Sequence, residues 1–349
     1  MVADGQPVDP SIVDINLLTD WMDGKGLGSG PLESVEPLAG GTQNLLLRFV
    51  RNGRTFILRR PPEHKRKNSD ETMRREARVL DALADTDVPH PRLIAAEGDI
   101  NVLGAAFYLM EPIEGFQATS GLPAFHASDP AVRRSMGFSF VDALLSLHAV
   151  DPSTKNLDGF GKPEGYLERQ VPRWQSQLES YNEMEGYPGP DLPYLAEIQA
   201  FLEANRPEPS PTGIIHGDYH LANVMFRPDA GEIAAIVDWE LATQGDPLID
   251  LGLVVAFWPE ADGAAGMMSI HPWDGFPAID ELVAHYDANS PRDLSALDWY
   301  AVLACYKTGI ILEGTHARAF AGKAPKEFGD LLHTTTVGLF EKAGRIIGG

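Results

Sequence analysis

Residues 214–226 read IIHGDYHLANVMF, and the fold turns on what this polar cluster does directly after two isoleucines. His216 and His220 stand four apart, a spacing that lets two imidazoles share one face of a helix and hold zinc. Gly217 and the isoleucines read instead as a strand end entering a loop. The glutamate of H-E-x-x-H is absent, and no third ligand follows at a diagnostic spacing. Read as His216-Gly217-Asp218 followed by Asn223, the stretch offers other chemistry. A carboxylate can face an acceptor hydroxyl while an amide oxygen on the same loop reaches a metal ion. A turn rich in Asp and Asn has the same composition, so the rest of the chain decides.

The separation of Asp218 from Asn223 by four residues matches the H-R-D-x-x-x-x-N loop of phosphoryl transfer, with Gly217 in place of arginine. Fifteen residues beyond Asn223, the apolar run IVDWE (236–240) ends in Asp238. A second aspartate at such a strand end can bind the magnesium that bridges nucleotide phosphates, or it can simply cap a turn. GDPLIDLG (245–252) then predicts a helix that places Asp250 under the loop, where it accepts backbone N–H bonds, with Asp246 as an N-cap ahead of Pro247.

Outward from this centre, the carboxy-terminal side is helical over 129–149, 164–185, 191–205, 278–288, 293–320 and 327–347, interrupted at 213–240 by a loop and a small hairpin. The amino-terminal side differs. A helix is expected over 9–23, with Asp9 at its cap and Pro10 in its first turn. From 34 to 60 short β-type runs follow, joined at Asn52-Gly53 by a hairpin signal. A helix over 69–85, with Ser69 and Thr72 as candidate caps, separates these runs from strands in VPHPRLIAAEGD and AAFYLMEPIEG. The fold class is α+β: a β-rich amino-terminal lobe over 1–112 and a mainly helical lobe over 113–349.

Composition narrows the function. With 349 residues, 44% apolar and 22% charged, the chain can bury a core without staples. Its one cysteine, Cys305, permits neither an intrachain disulfide nor a thiolate zinc cluster. The formal charge of −22 argues against nucleic acid as a partner. No secretory leader and no membrane-spanning run is read from the sequence, so the expected location is cytoplasmic.

Together, HGDYHLAN, IVDWE and GDPLIDLG resemble the aminoglycoside phosphotransferase and choline kinase-like family, closest to the branch also found fused to acyl-CoA dehydrogenases. The order of elements agrees over about residues 30–345. The resemblance implies a protein-kinase-like two-lobed fold and an ATP- and Mg²⁺-dependent transfer of phosphate to a hydroxyl, with GTP not excluded as donor. It makes Asp218 the catalytic aspartate and Asn223 and Asp238 the magnesium ligands, with the two histidines structural. LAGGTQNLLLRF (38–49) looks like the nucleotide-covering turn, with Gly40, Gly41, Thr42 and Asn44 near phosphate. Arg59 in FILRR stands where a phosphate-binding lysine is usual, Glu76 is its helix partner, and the connector at Met110 and Glu111 meets adenine. The implied acceptor is a small hydroxylated metabolite, an antibiotic or an acyl-CoA-type substrate, and the basic run RRPPEHKRK (59–67) is a candidate anchor for a phosphate-bearing one. Two other readings remain: a nucleotide-binding pseudokinase, favoured by Arg59, and a metal-dependent hydrolase built on His216, Asp218 and His220.

Overall fold

Asn52 and Gly53 both adopt left-handed φ values, 51° and 74°, so the chain reverses in the two-residue turn that suits the twist of a hairpin. The computed structural model describes residues 13–38, 44–259, 264–265 and 268–348. The turn joins β2 (Leu45–Arg51) to β3 (Arg54–Arg60). With β1 (Glu33–Pro37), β4 (Leu93–Glu97) and β5 (Phe107–Met110) these form a sheet of order β1-β2-β3-β5-β4. Leu45, Leu47 and Phe49 alternate inward along β2 and meet Phe56, Leu58 and Leu109. Helix α1 (Ile15–Gly24) covers that face with Leu18 and Met22.

Helix α2 (Ser69–Leu83) takes the other side, burying Met73, Glu76, Ala77 and Leu80. The antiparallel register sets Arg59 opposite Tyr108, and both meet α2. Two helix starts differ from expectation. Asp14, not Asp9, caps α1 by accepting from the Asn16 and Leu17 amides, and Asp9 lies outside the described residues. Helix α2 begins at Ser69 itself without a side-chain cap, and the Thr72 hydroxyl donates to the Asn68 carbonyl.

The remainder is mainly helical: α3 (Ala124–Ser128), α4 (Pro130–His148), α5 (Gln170–Ser180), α6 (Leu195–Ala204), α7 (Leu248–Phe257), α8 (Ile279–Asn289), α9 (Leu297–Phe320) and α10 (Lys326–Gly348). Helix α5 starts later than the pattern implied, because the Arg169 guanidinium ties the Lys162 and Glu164 carbonyls into a turn. Between α6 and α7 lie β6 (Gly213–Ile215), β7 (Val224–Phe226), β8 (Ile233–Ile236) and β9 (Thr243–Gly245), paired as two short ladders, β6 with β9 and β7 with β8. Among the described residues, no helix is long and apolar enough to cross a membrane.

Helix α7 is the floor beneath the loop after β6, and α9 packs closely against it. At Gly252 an added Cβ would lie 2.5 Å from the Tyr300 carbonyl oxygen. Gly252→Ala must therefore push α7 from α9 at a cost of about 1–3 kcal/mol. The expected result is a lower midpoint in thermal unfolding followed by circular dichroism. An unchanged midpoint would show that the two helices separate without strain.

Candidate active site

The strand β6 delivers Ile214 and Ile215 into the core and then stops at His216, because the next residue turns left-handed. Gly217 has φ +87°, and a Cβ there would stand 2.8 Å from the Leu241 carbonyl oxygen. This is why glycine occupies the position where the phosphoryl-transfer pattern has arginine. The loop is held from below by Asp250 of α7, whose wholly buried carboxylate accepts from the His216 amide at 2.6 Å and the Gly217 amide at 2.8 Å. The expectation for Asp250 is met atom by atom. Asp246 accepts from the Leu248 amide, as expected of a cap, and also from the Ser210 amide and the Tyr300 hydroxyl.

His216 joins this loop to the strand that carries Asp238. Its Nε2 donates to the Val237 carbonyl at 3.0 Å, and its Nδ1 accepts from the Asp218 amide at 3.3 Å. Both ring nitrogens are thereby engaged, and burial lowers the imidazole's pKa, keeping it neutral despite the pull of Asp250 and Asp218. A zinc site pairing His216 with His220 has no nitrogen of His216 left to use. The Val237 amide donates to the Asn223 carbonyl at 2.9 Å, so two hydrogen bonds at one residue set Asp238 beside the Asp218–Asn223 loop.

Asn223 and Asp218 touch directly. The Asn223 amide nitrogen donates to the Asp218 carbonyl and to its carboxylate, each at 2.9 Å, which turns the amide oxygen the other way. His220 uses Nδ1 to accept from the Ala222 amide and stands with Nε2 3.4 Å from the Asp218 carboxylate. Burial alone would raise the Asp218 carboxyl. The hydrogen bond and charge of His220, with His216 and Lys307 behind it, hold it down at about 2. Asp218 is therefore ionised at neutral pH.

Across the cleft, Arg59 forks. Its Nε lies 2.8 Å from Glu76 and its Nη2 reaches Glu76 at 3.3 Å and Asp238 at 3.2 Å. Glu76 is 1% exposed, not the surface glutamate its helix position allowed, and its second partner is the Tyr108 hydroxyl at 2.7 Å. Burial raises the Glu76 carboxyl pKa against the opposing pull of Arg59 and Tyr108. Asp238 itself is left-handed, φ 65° and ψ 63°, a conformation that costs an ordinary residue energy and is held by the surrounding bonds.

The other expected positions are less engaged. Gly40, Gly41 and Thr42 lie outside the described residues. Asn44 lines a cleft of about 610 Å³ with His64, Lys67, Thr72 and Glu240. Met110 ends β5 between Ile57 and Leu93, and the Glu111 amide already donates to the Arg92 carbonyl at 2.9 Å. Two neighbours were not anticipated. Lys307 of α9 donates to the Gly217 carbonyl at 2.8 Å, and Tyr108 completes the Glu76 pair. The signal for Lys307 was there: a lone cation inside the apolar run WYAVLACYKTGIILEG has to find a buried acceptor.

The chain is similar to known proteins in sequence and in fold. The acyl-CoA dehydrogenase family member 11 of Gallus gallus is 29% identical over 304 residues, which cover 84% of this chain and 38% of that protein. The chain thus spans less than two fifths of that relative's length. A crystal structure from Ralstonia eutropha JMP134, provisionally assigned as an aminoglycoside phosphotransferase, superposes with a TM-score of 0.77 at 29% identity, covering 95% of this chain and 99% of that one. A thermostable mutant of aminoglycoside phosphotransferase APH(4)-Ia, in ternary complex with AMP-PNP and hygromycin B, shares the fold at a TM-score of 0.53 and 15% identity, covering 92% and 99% of the two chains. These neighbours bear out the protein-kinase-like fold. Residues 34–282, most of the sequence, match the phosphotransferase enzyme family (APH), and the chain belongs to it.

Proposed function

We propose that the chain transfers the γ-phosphoryl group of ATP to the hydroxyl of a small molecule, with Mg²⁺, in the cleft between the sheet and the helices. One observation carries this reading: Arg59 links Glu76 of the amino-terminal lobe to Asp238 of the carboxy-terminal lobe, beside the Asp218–Asn223 pair. The donor chemistry fits magnesium. Asn223 and Asp238 offer hard oxygens, and the amide nitrogen of Asn223 is already tied to Asp218, which leaves its oxygen to face a cation. The ion, when bound, supplies charge neutralisation for phosphate oxygens.

The residues then divide the work. Asp218, ionised and hydrogen-bonded, orients the acceptor hydroxyl and takes its proton as the bond to phosphorus forms. Its low pKa makes it a positioner first and a weak base second, which suits a loose transition state that needs little base assistance. Arg59 holds phosphate oxygens with a fork that lysine lacks. Lys307 and Asp250 keep the loop backbone in place.

For the acceptor, an acyl-CoA-type or similarly anionic hydroxylated metabolite fits better than an aminoglycoside. The cleft beside the site is lined by His64, Arg66 and Lys67 with one acidic residue, Glu240, a charge balance that repels a polycation. The identity with a relative named for acyl-CoA dehydrogenation supports the same choice.

Asp218→Ala is expected to lower kcat by about 10²–10⁴ while ATP binding stays near wild type. Turnover equal to wild type would remove Asp218 from the reaction. Calorimetry with ATP, with and without Mg²⁺, should show magnesium-dependent binding that is absent in Asp238→Ala. If neither ATP nor GTP binds the wild-type chain, the phosphotransferase reading fails. In Arg59→Lys a point charge cannot span Glu76 and Asp238 as the fork does, so the KM for ATP should rise by about tenfold, the equivalent of one hydrogen bond to a charged group. A variant that binds ATP but still turns nothing over, together with an inactive wild type, would favour the binding-module reading that Arg59 raises.

A further inference from the structure

Helices α9 and α10 form an antiparallel pair, and each carries an acidic residue three positions before a histidine: Glu313 and His316 on α9, Asp330 and His333 on α10. Three residues apart on a helix is one face, so each pair projects together. The helices meet closely here because Gly329 faces α9. A Cβ at that position would lie 2.6 Å from the Ala319 Cβ and 3.3 Å from the His316 Cα.

We propose that Glu313, His316 and His333, with Asp330 at the edge, form a binding site for a divalent transition metal of the zinc type. One ligand atom from each of Glu313, His316 and His333 lies within 4.8 Å of the others, and Asp330 approaches the His316 Nδ1 at 3.6 Å. Two imidazoles and one carboxylate are a zinc donor set, and Asp330, which Lys326 holds at 2.6 Å, stands beside them. Tetrahedral bonds of about 2.0–2.1 Å need ligand atoms about 3.3 Å apart, so the His316 and His333 rings, stacked with centroids 4.3 Å apart, must turn for both to reach one ion.

Two further observations point to a ligand. The His316 Nδ1 is buried without a hydrogen-bond partner, in a residue only 9% exposed. A buried ring nitrogen left without a hydrogen bond costs free energy that coordination recovers. Glu313, wholly buried, is oriented from behind by the Tyr187 hydroxyl, which donates to its Oε1 at 2.7 Å, while Oε2 faces the His333 Nδ1 at 2.8 Å. An outer hydrogen bond that fixes a carboxylate is the usual support of a metal ligand. The site would fasten α9 and α10 to the loop holding Tyr187. It is separate from the phosphoryl-transfer centre: Glu313 lies six residues along α9 from Lys307, about 9 Å of rise.

The test uses the full chain without a histidine tag, stripped with chelator and dialysed. Titration with Zn²⁺ followed by calorimetry and elemental analysis should show one equivalent bound, and added Zn²⁺ should raise the thermal unfolding midpoint. Co²⁺ in its place should give the intense visible absorption of a tetrahedral site. His333→Gln, at a partly exposed position, and His316→Gln should each weaken Zn²⁺ binding by about a hundredfold or more. Asp238→Ala should bind Zn²⁺ as wild type does, which separates this site from the magnesium ligands. Zn²⁺ binding that is absent from wild type, or equal in wild type and His316→Gln/His333→Gln, would overturn the proposal and leave a Glu313–His333 hydrogen bond.

Discussion

The site rests on a carboxylate that touches no substrate. Asp250 lies wholly buried in the first turn of α7 and gives its two oxygens to two consecutive amides of the loop after β6. A chain that leaves a strand and turns left-handed at Gly217 has no ladder partner for those amides, and burying them unpaired would cost about 1–3 kcal/mol each. A charged acceptor on a rigid helix removes that cost and sets where Asp218 stands. His148, with Nε2 3.7 Å away, completes the carboxylate's surroundings. The glycine at 252 lets α7 lie against α9, and α9 returns Lys307 to the Gly217 carbonyl. Loop, floor and far wall are thus one hydrogen-bonded unit.

The second constraint is the pairing of β3 with β5. A slip of one residue would turn Arg59 away from α2 and bring Leu58 or Arg60 to its place. In the observed register Arg59 and Tyr108 share a face and both meet Glu76. A buried, hydrogen-bonded ion pair adds little net stability, but breaking it by removing one member is costly, about 3–5 kcal/mol. Such a pair is a better device for position than for stability. It holds Arg59 where it can reach Asp238 on the opposite lobe.

Much of this was legible in the sequence, and the parts that were not have physical reasons. Asp250 could be placed under the loop from spacing alone, because a helix starting at GDPLIDLG has only one turn in which to present it. The hairpin at Asn52-Gly53 was readable because few residues tolerate that turn. Glu76 was ambiguous: α2 is charged along its length, and only the sheet packed against it decides which glutamate is covered. The start of α5 was misplaced because Arg169 caps carbonyls through a contact no periodicity reveals. The acid-x-x-His pairs of α9 and α10 went unremarked, since neither has meaning until two helices are set face to face.

Charge balance gives the proposed site its logic. Glu76, Asp238 and Glu240 gather about Arg59, while Asp218 and Asp250 act on Lys307 with Arg173 near it, five carboxylates against three cations, a surplus of two negative charges. The strain shows in Glu240, whose pKa is raised by burial and by the neighbouring Asp238 and Glu76. Polyphosphate alone would be repelled from such a place. On the proposed reading a divalent cation held by Asn223 and Asp238 would offset the surplus and leave Arg59 for phosphate oxygens, so nucleotide and metal should bind better together than either does alone. The left-handed backbone at Asp238 belongs to the same balance: the bonds at Val237 hold a carboxylate in a conformation it would otherwise avoid, with Arg59 as its partner from the other lobe.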